Sequence, residues 1–522
     1  MDKVVGMFQD DAWYPLLGKA LATGQGYTLI NSPTPGILPL YPPAFPFLLS
    51  LVFRISTQFP QNLWLLKSVS IVAMLLTGWT CYHYFIRYRN LPNYLALAIG
   101  AVVALSPGLV FMATSSLMSE CVFALTQMAT LIAVERCVLE KDGGRFWLYA
   151  SLAAAAASWS FLTRSMAAGL VLAAVVYLIK ERLFKSVLVF AACVALIAGS
   201  WVVYSRAKAP TPEQRAEVNS YIVRPYTEQF WDRIAGHEAA GRISMAELPE
   251  RFWNNVASIA SSDIGGIVTP SFFPALNQGM AERSGFIQPL ISLLVFVLLI
   301  VGFISVVRER LTYAELALPF SLLIIIIWPF PPYRFLLPSV PLLLFYFLIG
   351  CKLVLTFHSQ RIQATNPRQR WVGTTVLAGL LFLLTMYGNI SYLVRKNSAV
   401  ASQRPRWVRI FDDNEAIMKW TAENVARSDA IATANPALVN LYTGNKTTTF
   451  DNPAGNWDRW SRLGIRYLVH ISPIRLPEPD PNEAKYRIIH REGNLNLRVV
   501  DFGPAEARPK WGAGSTTSTR IN

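Results

Sequence analysis

Phe8-Gln9-Asp10-Asp11-Ala12-Trp13-Tyr14, followed later by Tyr41-Pro42-Pro43, is the stretch around which the chain is organised. Two adjacent carboxylates open a segment too polar to cross a bilayer, and a long succession of apolar runs begins only after it, at Leu63. From Asp10 to Thr23, Trp13, Leu16, Leu17, Ala20 and Leu21 recur near helical spacing, and Gly24-Gln25-Gly26 ends the run. This predicts an amphipathic helix lying along the membrane surface with its carboxylates turned inward. Asn31 to Pro43 is a proline-rich loop. Ala44 to Ile55 is apolar but shorter than the ~20 residues a spanning helix needs, so a second surface or re-entrant helix is expected there.

The 522 residues are 53% hydrophobic and only 15% charged, with mean hydropathy +0.35. An average soluble domain carries roughly 25% charged residues, so this is an integral membrane protein. The net charge of +15 does not point to nucleic acid, because the basic residues cluster in short segments between apolar spans. Cys81, Cys121, Cys137, Cys193 and Cys351 lie in or beside apolar runs without a CxxC pair, which suits small buried hydrophobes.

Ten spans are expected: Leu63–Phe85, Tyr94–Phe111, Ser119–Val138, Phe146–Thr163, Met166–Ile179, Val187–Tyr204, Ile287–Val307, Ala314–Trp328, Phe335–Thr356 and Trp371–Leu393. Every second loop is short and basic and is therefore cytoplasmic. The acidic segment, the loop Arg206 to Gly285 and the tail from Arg395 then fall on the outer face. The expected location is a bacterial inner (cytoplasmic) membrane, with the active site and C-terminal domain outside. With ten spans and both ends outside, nothing delivers the acidic segment across the membrane, which leads us to expect one more helix before Met1.

The expected fold class is an α-helical polytopic membrane protein with outer-face juxtamembrane helices and a small C-terminal α/β extracytoplasmic domain. The expected divisions are 1–62 (first extracytoplasmic loop), 63–393 (membrane domain, with outer loop 206–285), 394–508 (α/β domain) and 509–522 (disordered tail). In the loop, Thr211 to Val223 and Met245 to Ser262, capped by Ser244, read as helices. In the tail, Asp413 to Arg427 reads as helix, Ala430 to Ala434 and Tyr467 to Ile471 as buried strands, and Tyr486 to His490 with Leu495 to Asp501 as a hairpin through Glu492-Gly493-Asn494.

Asp10 and Asp11 are the first candidates for chemistry. Adjacent acids at a helix start ordinarily just complement its N-terminal partial charge. Beside a bilayer and a proline-rich loop, a carboxylate suits proton abstraction or cation binding. Glu120, at the outer mouth of the third span, reads either as a first-turn acid after a Ser119 cap or as a second acidic group facing that pair. Arg164 interrupts a long apolar stretch at an outer turn, and Tyr333-Arg334 is held between prolines. Snorkelling explains such arginines, and a bidentate grip on a lipid phosphate explains them equally. Lys67, one turn into the first span, is a further candidate for the phosphate. His237-Glu238 lacks the second histidine of a zinc-protease helix.

Taken together, Asp10-Asp11-x-x-Tyr14 with Ala20-Leu21-x-x-Gly24, Tyr41-Pro42-Pro43, Glu120, Thr163-Arg164 and Tyr333-Arg334-x-x-x-Pro338-x-x-Pro341 resemble the polytopic glycosyltransferases of GT-C fold that use polyprenyl-phosphate sugars, the protein O-mannosyltransferase and aminoarabinose transferase-like superfamily. The resemblance implies an inverting glycosyltransferase that moves a monosaccharide to an extracytoplasmic acceptor hydroxyl on glycan, lipid or protein. Carried over, Asp10 would be the base with Asp11 in support, and Arg164 and Arg334 would hold the lipid phosphate; Tyr333 and Lys67 are further candidates for that phosphate, and Tyr14, Tyr41, Pro42 and Pro43 for the substrate loop. Mg2+ or Mn2+ on Asp10 or Asp11 would suit this chemistry, although nothing in the spacing requires a metal. Where aminoarabinose enzymes carry Glu-Lys-Pro, this chain has Tyr41-Pro42-Pro43, which argues against lipid A as acceptor. The rival expectation is a transporter or flippase of lipid-linked sugar. It is disfavoured because the notable charges gather at one face and the halves do not repeat.

Overall fold

The structure, a computed structural model, describes residues 2–140, 145–234, 236–270, 287–359, 369–400, 404–450, 459–471, 487–492 and 497–501. The chain divides into two units, Met1–Ile30 with Pro35–Arg409, and Asn31–Thr34 with Ile410–Asn522.

The first unit opens with the two short helices the sequence predicts, α1 (Asp10–Ala22) and α2 (Ala44–Ile55). Then come α3 (Leu63–Arg89), α4 (Asn93–Ala104), α5 (Pro107–Thr114), α6 (Glu120–Leu139), α7 (Phe146–Thr163), α8 (Ala168–Lys180) and α9 (Phe184–Ala207). A polar excursion holds α10 (Pro212–Val218), α11 (Tyr226–Gln229), the antiparallel pair β1 (Asp232–Ile234) and β2 (His237–Arg242), α12 (Leu248–Ser258) and α13 (Ile264–Val268). The bundle resumes with α14 (Ile287–Glu309), α15 (Tyr313–Ile327), α16 (Pro332–Leu336), α17 (Val340–Ser359) and α18 (Gln369–Lys396).

Among the described residues seven helices are long and apolar enough to cross a membrane, or eight if the bent pair α4 and α5 counts as one span. The expectation of ten uninterrupted spans is corrected at three places. Pro107 lacks the N–H to continue α4, and the chain turns by 43° there. Arg164 is extended, with φ −149 and ψ 127, so α8 begins late and has 13 residues. α15 has 15 residues and stops at Trp328, before a proline-rich stretch. At 1.5 Å per residue α15 reaches only ~22 Å, against a hydrocarbon core of ~30 Å.

Close packing follows from small residues. A Cβ added to Gly302 would fall 1.9 Å from the Tyr346 carbonyl, and one on Gly350 would fall 1.9 Å from that of Leu298. α14 and α17 therefore touch backbone to backbone. At the end where Arg89, Arg136, Lys180 and Arg308 close their helices, Arg89 pairs with Glu315 at 2.8 Å. Tyr346 donates to Glu315 (2.6 Å) and the Tyr313 N–H to Glu135 (3.2 Å), so four helices are fastened by one buried polar cluster.

In the polar excursion the expected helix over Thr211–Val223 is cut short. Asn219, at φ 45, ends α10, and Tyr221–Val223 forms a single 3-10 turn. The Ser244 cap is present as a box with Glu247. Residues 271–285 lie outside the described residues.

The second unit contains α19 (Arg406–Asn424), β3 (Ala430–Thr433), α20 (Pro436–Thr443), β4 (Thr447–Thr449), β5 (Ile465–His470), β6 (Arg487–Glu492) and β7 (Leu497–Asp501), although the first four residues of α19 belong to the first unit. The sheet order is β4-β3-β5-β7-β6, with β4, β3 and β5 parallel and the β5-β7-β6 pairings antiparallel. Ala432, Phe450, Trp460 and Ile465 form its core. The predicted hairpin is there as β6 and β7, while Gly493, Asn494 and the tail 509–522 lie outside the described residues.

Candidate active site

Asp10 and Asp11 occupy the first turn of α1, and Gln9 just before them has φ 61, so the chain turns sharply into the helix. That turn sends the two carboxylates in different directions. Asp10 lines a cavity of about 280 Å3. Asp11 is fully buried and accepts from the N–H groups of Gly6 (2.9 Å), Met7 (3.2 Å) and Phe8 (3.0 Å). Burial pushes the Asp11 carboxyl up to about 6, against the opposing pull of those donors.

Around Asp10 the contacts come from distant parts of the sequence. Tyr41 and Tyr221 each donate to its Oδ1 at 2.5 Å. Arg334 Nη2 donates to its Oδ2 at 2.8 Å. Burial, with the Asp10 charge beside them, holds both phenols well above their ordinary range, so they remain proton donors. Tyr14, one helical turn from Asp10, packs its ring 5.0 Å from that of Tyr41. Pro42 lines the cavity, whereas Pro43 precedes α2 as its N-cap.

Glu120 opens α6 and is fully buried. Its Oε1 is 2.7 Å from Arg164 Nη1 and 3.0 Å from Arg334 Nε. Among the described residues neither oxygen of Glu120 receives a well-directed hydrogen bond, so these contacts are ion pairs by proximity. The Phe335 ring faces both guanidiniums, at 5.0 Å from Arg164 and 5.2 Å from Arg334. Arg164 also donates to Ser119 (3.2 Å). Two carboxylates and two guanidiniums thus close into one buried, neutral chain running Asp10, Arg334, Glu120, Arg164. Away from it the cavity wall turns apolar, with Met166, Ala168, Ile324, Ile325, Trp328 and Phe330.

Three of the expected placements are corrected. Lys67 is fully buried elsewhere, with its ammonium on the Asp2 carboxylate (2.7 Å) and the carbonyls of Val4 (2.8 Å) and Thr114 (3.0 Å). Its place one turn into α3 suggests a phosphate ligand, but the residues before α1 fold back over α3 and claim its ammonium. Tyr333 does not line the cavity, since consecutive residues on a helix face different sides. Its hydroxyl packs near Gly108. Asp11 does not share Asp10's surroundings, so it is not placed to support that carboxylate from within the cavity. Among the described residues no group of three or more His, Cys, Asp and Glu side chains is placed to hold a metal.

The sequence reading missed Tyr221, Tyr226 and Gln229, which reach the cavity from the polar excursion. The run Tyr221-Ile222-Val223-Arg224-Pro225-Tyr226, aromatic within a polar loop, was the available signal. Gln229 fixes Tyr221 by donating to its carbonyl (2.9 Å), and the buried Arg224–Asp232 pair (2.8 Å) holds the turn between them.

This helical bundle with its short surface helices and small α/β unit is the GT-C fold of membrane glycosyltransferases. ArnT from Cupriavidus metallidurans bound to undecaprenyl phosphate matches with a TM-score of 0.52 at 11% identity, over 96% of this chain and 95% of that one. The Archaeoglobus fulgidus oligosaccharyltransferase tethered with an acceptor peptide matches with a TM-score of 0.50 at 13% identity, over 88% of this chain and 64% of that longer one. No protein-family model matches the sequence, and no curated protein matches it.

Proposed function

We propose that the chain is an inverting glycosyltransferase that moves a monosaccharide from a polyprenyl-phosphate donor to an acceptor hydroxyl on the outer face of a bacterial inner membrane. The observation that carries this reading is the cavity with Asp10, Arg164 and Arg334 at its polar end and an apolar wall beyond. A lipid phosphate needs both. Undecaprenyl phosphate in ArnT, a protein of the same fold, supports a polyprenyl phosphate as the donor lipid.

On binding, the donor phosphate takes the place of carboxylates on Arg164 and Arg334, which present donor forks of matching geometry. Asp10, released from Arg334, takes the proton of the acceptor hydroxyl. The acceptor oxygen bonds the anomeric carbon as the bond from that carbon to the phosphate oxygen breaks, and the charge that develops on the phosphate falls on the arginines. Glu120 keeps both guanidiniums aligned between turnovers. The base and phosphate sites are built from Asp10 and the arginines, and no step is assigned to a metal.

The test is to supply membranes containing the chain with a panel of radiolabelled polyprenyl-phosphate monosaccharides. Label that passes into an acceptor, leaving polyprenyl phosphate behind, supports transfer. Label that crosses the bilayer still attached to its lipid supports the transporter instead.

A further inference from the structure

In the polar excursion, α12 turns one face outward without a protein partner among the described residues. Ala246, Pro249, Trp253 and Ala257 recur at helical spacing and are exposed. Trp253 is 64% exposed and Met245, just before the helix, is 73% exposed. Among the described residues the Trp253 ring meets only that of its neighbour Phe252, and with Met245 it forms an exposed apolar stripe bordered by the polar Glu250 and Asn254, the pattern of a helix lying at an interface.

The position of the helix says which. Asn255 donates to the carbonyls of Ile326 (2.7 Å) and Trp328 (3.0 Å), in the last turn of α15 and just past its end. Beyond α12, the Gly265 N–H donates to Ser292 on α14 (3.0 Å). α12 is therefore fastened to the end of α15, and the segment that follows it to α14, a helix long and apolar enough to cross a membrane. Leu323, one turn back along α15, is 52% exposed, and Leu290, near the start of α14, is 58% exposed. Such leucines on the flanks of a bundle face lipid. Trp253 is two residues from Asn255, about 200° around the helix, so it points away from the bundle at the level where those lipid-facing surfaces end.

We infer that α12 is an interfacial helix whose Trp253 and Met245 enter the headgroup region of the bilayer that the bundle spans. Tryptophan is favoured at this depth because its ring is apolar and its N–H can bond to headgroups or water. The helix also carries the hairpin, since Arg251 Nη2 donates to the Asp232 carbonyl (2.5 Å). Lipid thereby becomes part of the support for the turn that bears Tyr221. This inference depends on the membrane fold and stands apart from the proposed transfer reaction.

The test is a nitroxide label at Trp253→Cys, and separately at Met245→Cys, in nanodiscs of phosphatidylethanolamine and phosphatidylglycerol. Accessibility to oxygen and to a nickel chelate is read by power saturation of the spin signal. Leu290→Cys is the lipid-facing reference, and Glu213→Cys, exposed on α10, is the aqueous one. Both sites are expected to resemble Leu290→Cys, with oxygen contact exceeding nickel contact. If Trp253→Cys does not accumulate, Ala257→Cys on the same stripe takes its place. Values matching Glu213→Cys would overturn the inference, as would shielding from both reagents, which would mean that protein covers the face.

Discussion

Arg334 Nη2 lies 2.8 Å from Asp10 Oδ2 across 324 residues of sequence, while its Nε lies 3.0 Å from Glu120. The proposed base and the proposed phosphate ligand therefore occupy each other in the resting site. A donor phosphate frees the base in the act of binding, which links the two steps through one guanidinium.

Removing that guanidinium should be costly in two ways. Arg334→Ala leaves the Asp10 carboxylate without its ion-pair partner, while Glu120 keeps Arg164, and losing one partner of a buried pair costs about 3 to 5 kcal/mol. Thermal unfolding in detergent should show that loss, and titration with undecaprenyl phosphate should show no saturable binding. Arg334→Lys restores the charge without the fork, so it should recover much of the stability and little of the affinity. Equal affinity in the lysine variant and the wild type would remove Arg334 from the phosphate site.

The tyrosines on Asp10 share one acceptor oxygen. Hydrogen bonds to a charged group are worth about 1.5 to 3 kcal/mol, so Tyr41→Phe or Tyr221→Phe should slow transfer by roughly ten- to a hundredfold. Because the two act on the same atom, the double variant should be less impaired than the product of the single effects. Strict additivity in that cycle would mean that one of the hydroxyls does not act through Asp10.

Asp11 should reveal itself in stability rather than transfer. Its carboxyl titrates at about 6 in the folded chain against an ordinary value of 3.8, chiefly because it is buried. The folded state then binds the proton more tightly than the unfolded state. The associated stability is present below pH 3.8 and is lost as pH rises through about 6, an effect of roughly 3 kcal/mol. Asp11→Asn should flatten the pH dependence of unfolding in that window and retain most of the transfer at pH 7. A variant as inactive as one altered at Asp10 would return Asp11 to the chemistry.

Lys67 is expected to behave as an anchor. Burial alone would raise the Asp2 carboxyl, but Lys67 and Lys396 outweigh it and hold that carboxyl below its ordinary value. Lys67→Met should therefore lower thermal stability by about 3 kcal/mol. The affinity of the folded fraction for undecaprenyl phosphate should not change, and a selective loss of affinity would restore Lys67 as a phosphate ligand.

The membrane class and the two short helices at the start were legible in the sequence, which also marked Asp10, Glu120, Arg164 and Arg334 as candidates without deciding that they meet. Hydropathy finds apolar runs but not the breaks at Pro107 and Arg164 or the short reach of α15, and an arginine in an apolar run needs an explanation wherever it occurs. What sequence could not supply was direction. Asp10 and Asp11 look equivalent as neighbours, yet one helical step turns them to different partners. Tyr333 and Arg334 differ in the same way. The partner of Lys67, Asp2, lies in a segment without periodicity, and the aromatic run at Tyr221–Tyr226 marks a patch in the polar loop without saying which carboxylate it meets. The pairing of Arg89 with Glu315, far apart in sequence, is equally hidden, because a basic residue at the end of a span already has a reading as a topology charge.

The most direct test of the central claim compares wild type with Asp10→Asn at equal membrane abundance, using the polyprenyl-phosphate sugar that wild type transfers best. General-base catalysis is worth about a hundred- to ten-thousandfold, so the account predicts a fall in transfer of that order with undecaprenyl phosphate binding retained. Transfer by Asp10→Asn at the wild-type rate would contradict it and remove this carboxylate from the mechanism.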